Sequence, residues 1–204
     1  MLRALDLFCG AGGATKGLQR AGFHVTGVDI NPQKRYCGDE FIQGDALVVS
    51  LRGYDLIWAS PPCQAYSKAQ RIQANSHPEL IHNIRLRLRS SETPFIIENV
   101  PGAPLLSPIE LCGANFNLQV YRHRLFECSF YVHAPKHLEH TAPLRKMGRP
   151  PQAGEFMHVV GNFSGVIQAR KAMDIDWMCR DELREAIPPA YSEHIAREFL
   201  KHKS

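Results

Sequence analysis

Five short apolar runs mark out the first hundred residues: Ala4–Phe8, His24–Ile30, Phe41–Gly44, Asp55–Ala59 and Phe95–Val100. Runs this short and this apolar read as strands buried on both faces, and helical patterns fall between them. Thr15–Ala21 suits a helix after the first run. Glu79–Arg89 places Leu80, Ile84 and Leu88 at helical spacing, with arginines between them. Strands alternating with helices specify an α/β fold built on a parallel sheet. From about Leu106 to Arg170 the pattern breaks down into proline, glycine and histidine, and Pro143–Gly154 is a basic, turn-rich loop. Periodicity returns in the tail, where Ile187-Pro188-Pro189 opens a helix over Ala190–Lys201.

A chain of 204 residues with 44% hydrophobic and 22% charged residues suits one domain with a small appendage. No apolar run approaches the ~20 residues of a membrane helix, and no signal-peptide pattern opens the chain. A cytoplasmic monomer that does not engage a membrane is expected. The net charge of +4 permits a polyanionic partner. Six scattered cysteines without a CxxC pair read as reduced thiols. Cys128, His133, His137 and His140 match no strong zinc spacing, so no metal site is expected.

Three segments carry chemistry. Leu5-Asp6-Leu7-Phe8-Cys9-Gly10-Ala11-Gly12-Gly13 is a strand breaking into a glycine-rich turn, and such turns face ligands at the carboxyl edge of α/β sheets. Asp29, ending the second strand, is placed to accept from ribose hydroxyls, and Asp45 from an adenine amino group. Pro61-Pro62-Cys63-Gln64 fixes a thiol just past a strand end, where a thiolate can serve as nucleophile. Glu98 in Glu98-Asn99-Val100 ends a buried strand, so burial is expected to raise its pKa. Arg122 and Arg124 sit two apart, which on a strand puts both on one face.

Taken in this order, FCGAGG, PPCQ and ENV resemble the motifs of the DNA (cytosine-5)-methyltransferases, and the resemblance spans nearly the whole chain. It implies a Rossmann-like sheet binding S-adenosyl-L-methionine, with a small, irregular target-recognition region. The cofactor residues it implies are Asp6, Phe8, Cys9, Gly10, Gly12, Gly13, Asp29, Ile30, Asp45, Ala46 and Pro61. The catalytic residues it implies are Cys63, Glu98, Arg122 and Arg124. In that chemistry a thiolate adds to cytosine C6, and a carboxylic acid at N3 stabilises the adduct. The methyl group then passes to C5, a base removes the C5 proton and the thiol departs.

Residues 1–127 would form the cofactor-binding and catalytic core, 128–169 the recognition region and 170–204 a return to the core. The partner implied is cytosine-containing duplex DNA, with the target base flipped out of the stack. Lys136, Arg145, Lys146 and Arg149 are candidate phosphate contacts, with Gly148 and Gly154 allowing close backbone approach. The polar stretch Ser67, Lys68, Gln70, Arg71, Gln73 and Asn75 would close over the base, with Gln64 or Ser67 bracing the gap. Small size likens the chain to compact phage and prophage enzymes. Departures from the family pattern are Val120 for Gln in QxRxR, Arg184-Glu185 for Gly-Asn, and Asp29 where Glu is commoner. The competing readings are a tRNA cytosine-5 methyltransferase and a non-catalytic DNA- or cofactor-binding relative.

Overall fold

Strands β1 (Arg3–Leu7), β4 (Leu56–Ala59) and β5 (Phe95–Asn99) are buried almost throughout. Such residues require cover on both faces, and these three strands occupy the middle of the sheet. The computed structural model describes residues 1–62, 80–145, 149 and 151–203. With β2 (His24–Asp29), β3 (Glu40–Gln43), β6 (Ile109–Leu111) and β7 (Arg124–Cys128) the sheet has seven strands, ordered β3-β2-β1-β4-β5-β7-β6. The first five are parallel, with Asp6 in register with Gly27 on one side and Trp58 on the other. The α/β reading of the first hundred residues thus holds. β7 runs antiparallel to β5, setting Phe126 opposite Glu98, and β6 runs antiparallel to β7.

Helix α1 (Gly13–Arg20) packs on the terminal helix α5 (Pro189–Lys201). Gly17 makes this possible, since a Cβ there would run into the Pro189 carbonyl and the Ser192 hydroxyl. Ser192 Oγ also donates to the Ala14 carbonyl at 2.8 Å. Helix α2 (Ile81–Ser90) covers the other face with Ile84 and Leu88. From α2 the buried Arg85 reaches the buried Glu127 of β7 at 2.8 Å and donates to the Pro104 carbonyl.

Two further helices, α3 (Val166–Met173) and α4 (Arg180–Glu185), share a separate core. It joins Met157, Val159 and Phe163 to Ala172, Met178 and Leu183. The segment edges expected at 127 and 169 fall inside β7 and α3. Among the described residues no helix is long and apolar enough to cross a membrane. Strand order turns back between β1 and β4, the switch point where open α/β sheets form a crevice at the carboxyl ends.

Candidate active site

That crevice is a cavity of about 510 Å³ at the ends of β1, β2, β4 and β5. On leaving β1 the chain turns through Phe8, Gly10 and Gly12, with φ of 60°, 50° and 91°. A Cβ at Gly10 would meet nothing within 4 Å, so this backbone is open to a ligand. Asp29 fixes the turn: its Oδ2 accepts from the Gly10 N–H at 3.0 Å and its Oδ1 from Asn31 at 2.9 Å. Each carboxylate oxygen keeps lone pairs for further donors. Asp45 accepts the Leu47 N–H through Oδ1 at 2.8 Å.

Asp6 lies beneath the turn, fully buried. The Thr15 hydroxyl donates to its Oδ2 at 2.5 Å, while its Oδ1 has no partner. Burial lifts the Asp6 carboxyl to about 7, against the opposing pull of the Thr15 bonds. Asp6 is among the residues lining the cavity, so its carboxyl bears on the charge that a ligand there can carry. Cys9 lines the same wall, and burial together with Asp6 and Asp29 pushes its thiol far up, leaving it neutral.

The opposite wall is built from β4 and β5. Glu98 is buried, and burial raises its pKa as expected, against the lowering effects of Arg124, Ser60 and Arg122. Arg124 Nε stands 3.1 Å from Glu98 Oε1. Ser60 accepts from Trp58 Nε1 at 2.9 Å, which orients its hydroxyl to donate to Glu98. Asn99 Nδ2 donates to the Pro61 carbonyl at 2.9 Å, fastening the Pro61-Pro62 segment to the end of β5. Cys63 and Gln64 lie outside the described residues, as do Ser67, Lys68, Gln70, Arg71, Gln73 and Asn75.

Of the expected site residues, Asp6, Phe8, Cys9, Gly10, Gly13, Asp29, Ile30, Asp45, Ala46, Pro61, Glu98 and Arg124 line this one cavity. Gly12 does not line it; its carbonyl accepts the Cys37 thiol at 3.2 Å. Arg122 is also elsewhere. It precedes β7 with φ 39°, so the two arginines do not share a strand face. Its guanidinium donates to the carbonyls of Val159, Ala186 and Arg184 at 2.6–2.7 Å, clamping the tail.

That clamp positions tail residues beside the expected site residues. Met178, Glu182, Glu185, Ala186 and Ile187 close one side of the cavity. Ser60 and Thr15 were not among the expected site residues, and position between a strand end and a proline was the one signal Ser60 offered. Val120, where the family pattern has Gln, is buried and bridges Met157.

Two expected phosphate contacts are engaged within the protein. Arg145 is buried, donating to the Arg149 and Ser164 carbonyls at 2.8 Å. Arg149 forks onto Glu155 through both nitrogens, and this pairing holds the Glu155 carboxyl at about 2. Lys136 is exposed, Gly154 has φ 81° in open space, and Lys146 and Gly148 lie outside the described residues.

The family model for C-5 cytosine-specific DNA methylase matches residues 2–107, just over half of the 204 residues. The type II methyltransferase M.XorII of Xanthomonas oryzae is 31% identical over 120 residues, covering 48% of this chain and 28% of the relative. M.NgoMIV of Neisseria gonorrhoeae is 33% identical over 117 residues, covering 52% of this chain and 37% of the relative. The chain thus spans well under half the length of these curated relatives. Among solved structures, a protein described as a DNA modification methyltransferase encoded within an E. coli prophage superposes with TM-score 0.71. It is 15% identical, over 98% of this chain and 99% of its own. The S. pombe Dnmt2 methyltransferase superposes at 0.62 with 17% identity, over 100% of this chain and 99% of its own. At such identities these likenesses establish the fold, a methyltransferase sheet.

Proposed function

The chain belongs to the C-5 cytosine-specific DNA methylase family, and from this we propose that it methylates C5 of cytosine in DNA, using S-adenosyl-L-methionine and a covalent bond from Cys63 to C6. The observation that carries the reading is Glu98. It is a buried carboxyl with a raised pKa, braced by Arg124 and Ser60 on the wall of a cavity whose far side is the glycine turn.

The cavity's residues fit the cofactor. Its volume lies within the range of about 300–1,000 Å³ common to small-molecule clefts. Asp6, lining the cavity, would favour a positive group nearby, and Asp29 and Asp45 would hold hydroxyl and amino donors. When bound, the cofactor supplies an electrophilic methyl group on its sulfonium.

The chain's own residues do the rest. Cys63 as thiolate adds to C6, and the electron pair released from the C5–C6 bond moves toward N3. Glu98, whose pKa burial raises toward the protonated form, acts as the acid that donates to N3 and stabilises the charge that develops there. Arg124 and Ser60 hold its carboxyl in one orientation. After methylation a base takes the C5 proton and Cys63 leaves with the electron pair of the C–S bond, restoring the ring. The high pKa of Cys9 supports Cys63 as the thiol that reacts.

We assign residues 1–127 to the core, 128–169 to reading the DNA and 170–204 to closing the cofactor wall. The substrate we favour is duplex DNA, read by a monomer that flips the base.

Trapping tests this. With 5-fluorocytosine in the substrate the final proton abstraction is blocked, and the enzyme stalls as an adduct visible on denaturing gels. A cofactor-dependent adduct on duplex DNA that disappears in Cys63→Ala is the expected result. Adduct on RNA alone would give the substrate to tRNA, and no adduct on any nucleic acid would leave a binding protein.

A further inference from the structure

We propose that Cys112, His123, His137 and His140 form a zinc-binding site at the edge of the sheet, apart from the cavity. One ligand atom from each lies within 4.8 Å of the other three. Cys112 Sγ is 3.4 Å from His140 Nε2, and His123 Nε2 is 2.9 Å from His137 Nε2. A tetrahedral zinc with bonds of about 2.0–2.3 Å sets its ligand atoms roughly 3.3–3.6 Å apart. The first pair thus stands at the spacing that the ion imposes and the second just inside it, and all four atoms lie within 4.8 Å of one another.

The fold brings the four together from three places. Cys112 leaves β6, and the next residue, Gly113, donates its N–H to the Tyr121 carbonyl at 2.7 Å. Gly113 lies against the Val120 carbonyl, a contact only a missing Cβ allows. These contacts seat Cys112 beside His123 across the β6–β7 turn. His137 and His140 come from the loop after β7, in the H-x-x-H spacing of a chelating pair.

Their loop is fixed independently of any ion. Asn115 Nδ2 donates to the Lys136 carbonyl at 2.7 Å, and the Tyr121 hydroxyl to the Ala142 carbonyl at 2.6 Å. The Tyr121 ring stacks on His140 with centroids 3.6 Å apart, holding that imidazole edge-on toward Cys112. Such bonds from neighbouring groups are what orient the ligands of built metal sites.

Chemistry selects the metal. One thiolate and three neutral imidazoles make a borderline-soft, four-coordinate set, which suits zinc. Binding replaces the Cys112 S–H bond by a Zn–S bond and releases the proton to solvent. The net charge of the filled site is +1, and Glu110, 3.7 Å from His123, supplies the nearby negative charge. The sequence led to no expected metal site, and the four residues weighed there, Cys128, His133, His137 and His140, are not the set that the fold gathers. Cys128 ends β7 opposite Ile96, and His133 bonds through its backbone to Glu198 and His194, so neither belongs to the cluster.

The consequence is mechanical. His123 sits between Arg122, which clamps the tail, and Arg124, which braces Glu98. Zinc would pin the irregular loop 129–143 to this point of the sheet.

Titration of the chelator-stripped full chain with cobalt(II) tests the proposal. We expect one equivalent bound, the intense visible bands of a tetrahedral ion and a near-ultraviolet sulfur-to-cobalt band, all abolished by added zinc. Cys112→Ser should lose the near-ultraviolet band. His137→Ala/His140→Ala, at exposed positions that leave folding intact by circular dichroism, should weaken binding by about 100-fold or more. Cys128→Ser and His133→Ala should bind as the unaltered chain does. Zinc should also slow proteolysis within 129–143. Octahedral cobalt spectra, less than one equivalent bound, or unchanged affinity in the double histidine variant would each overturn the site.

Discussion

Asp6 makes the fold itself pH-sensitive, and Asp6→Asn isolates the effect. Burial raises its carboxyl from an ordinary 3.8 to about 7. Between those values the folded chain keeps a proton that the unfolded chain has lost, so stability falls as pH rises through that window. Each decade of pH there costs about 1.4 kcal/mol. Going from about pH 5 to about pH 8 should therefore weaken the fold through Asp6 alone by about 2–3 kcal/mol. Asparagine carries no charge and removes that slope. Urea unfolding of both proteins at the two pH values measures it, with Asp6→Asn the more stable at the higher pH. A positively charged ligand in the cavity near Asp6 favours the ionised carboxylate, so S-adenosyl-L-methionine should stabilise the unaltered protein more at high pH than at low. Parallel pH profiles for the two proteins would refute the reasoning. So would a variant that keeps full cofactor affinity.

Glu98→Gln should lower the methylation rate by about 10²–10³-fold while cofactor affinity, read by calorimetry, changes little. Because Glu98 acts protonated and its pKa is raised, activity should fall on the alkaline side as it ionises, and the glutamine variant should lack that limb. Arg122→Ala strips donors from the carbonyls of Val159, Arg184 and Ala186 and should cost about 3 kcal/mol or more in urea unfolding, with Arg122→Lys recovering only part. Gly17→Ala gains about 1 kcal/mol of helix propensity but drives a methyl into α5, so the melting temperature should fall.

Sequence patterning disclosed the parallel half of the sheet because burial on both faces leaves a direct signature. Ala4–Phe8, Leu56–Ala59 and Phe95–Asn99 have no solvent face on which to place charge. The strand-end carboxylates followed from the same logic, since a residue ending a buried strand at the switch point faces the crevice. β6 was hidden, and β7 was legible only as the strand suggested for Arg122 and Arg124, for the converse reason. They are three and five residues long and carry Glu110, Arg124 and Glu127; Arg124 is paired with Glu98 and Glu127 with Arg85. Nothing local in Glu127 announces that Arg85, forty-two residues earlier, will meet it. The same holds for Arg145, which reads as a phosphate contact until the carbonyls around it are known.

The tail shows most clearly why site chemistry cannot be read from motifs alone. Arg184-Glu185 departs from the family pattern in side chain, yet the clamp from Arg122 engages the carbonyls of Leu183, Arg184 and Ala186, which every residue type possesses. A backbone-mediated contact tolerates substitution, so the cavity wall can keep its place while its sequence drifts. What it does not tolerate is bulk behind it. Gly13 lies against the Ile187 backbone and Gly17 against α5, where any Cβ would displace the returning chain. The glycines after β1 therefore serve two surfaces. Gly10 opens the turn toward the ligand, while Gly13 and Gly17 let the C-terminal segment close the pocket from the other side.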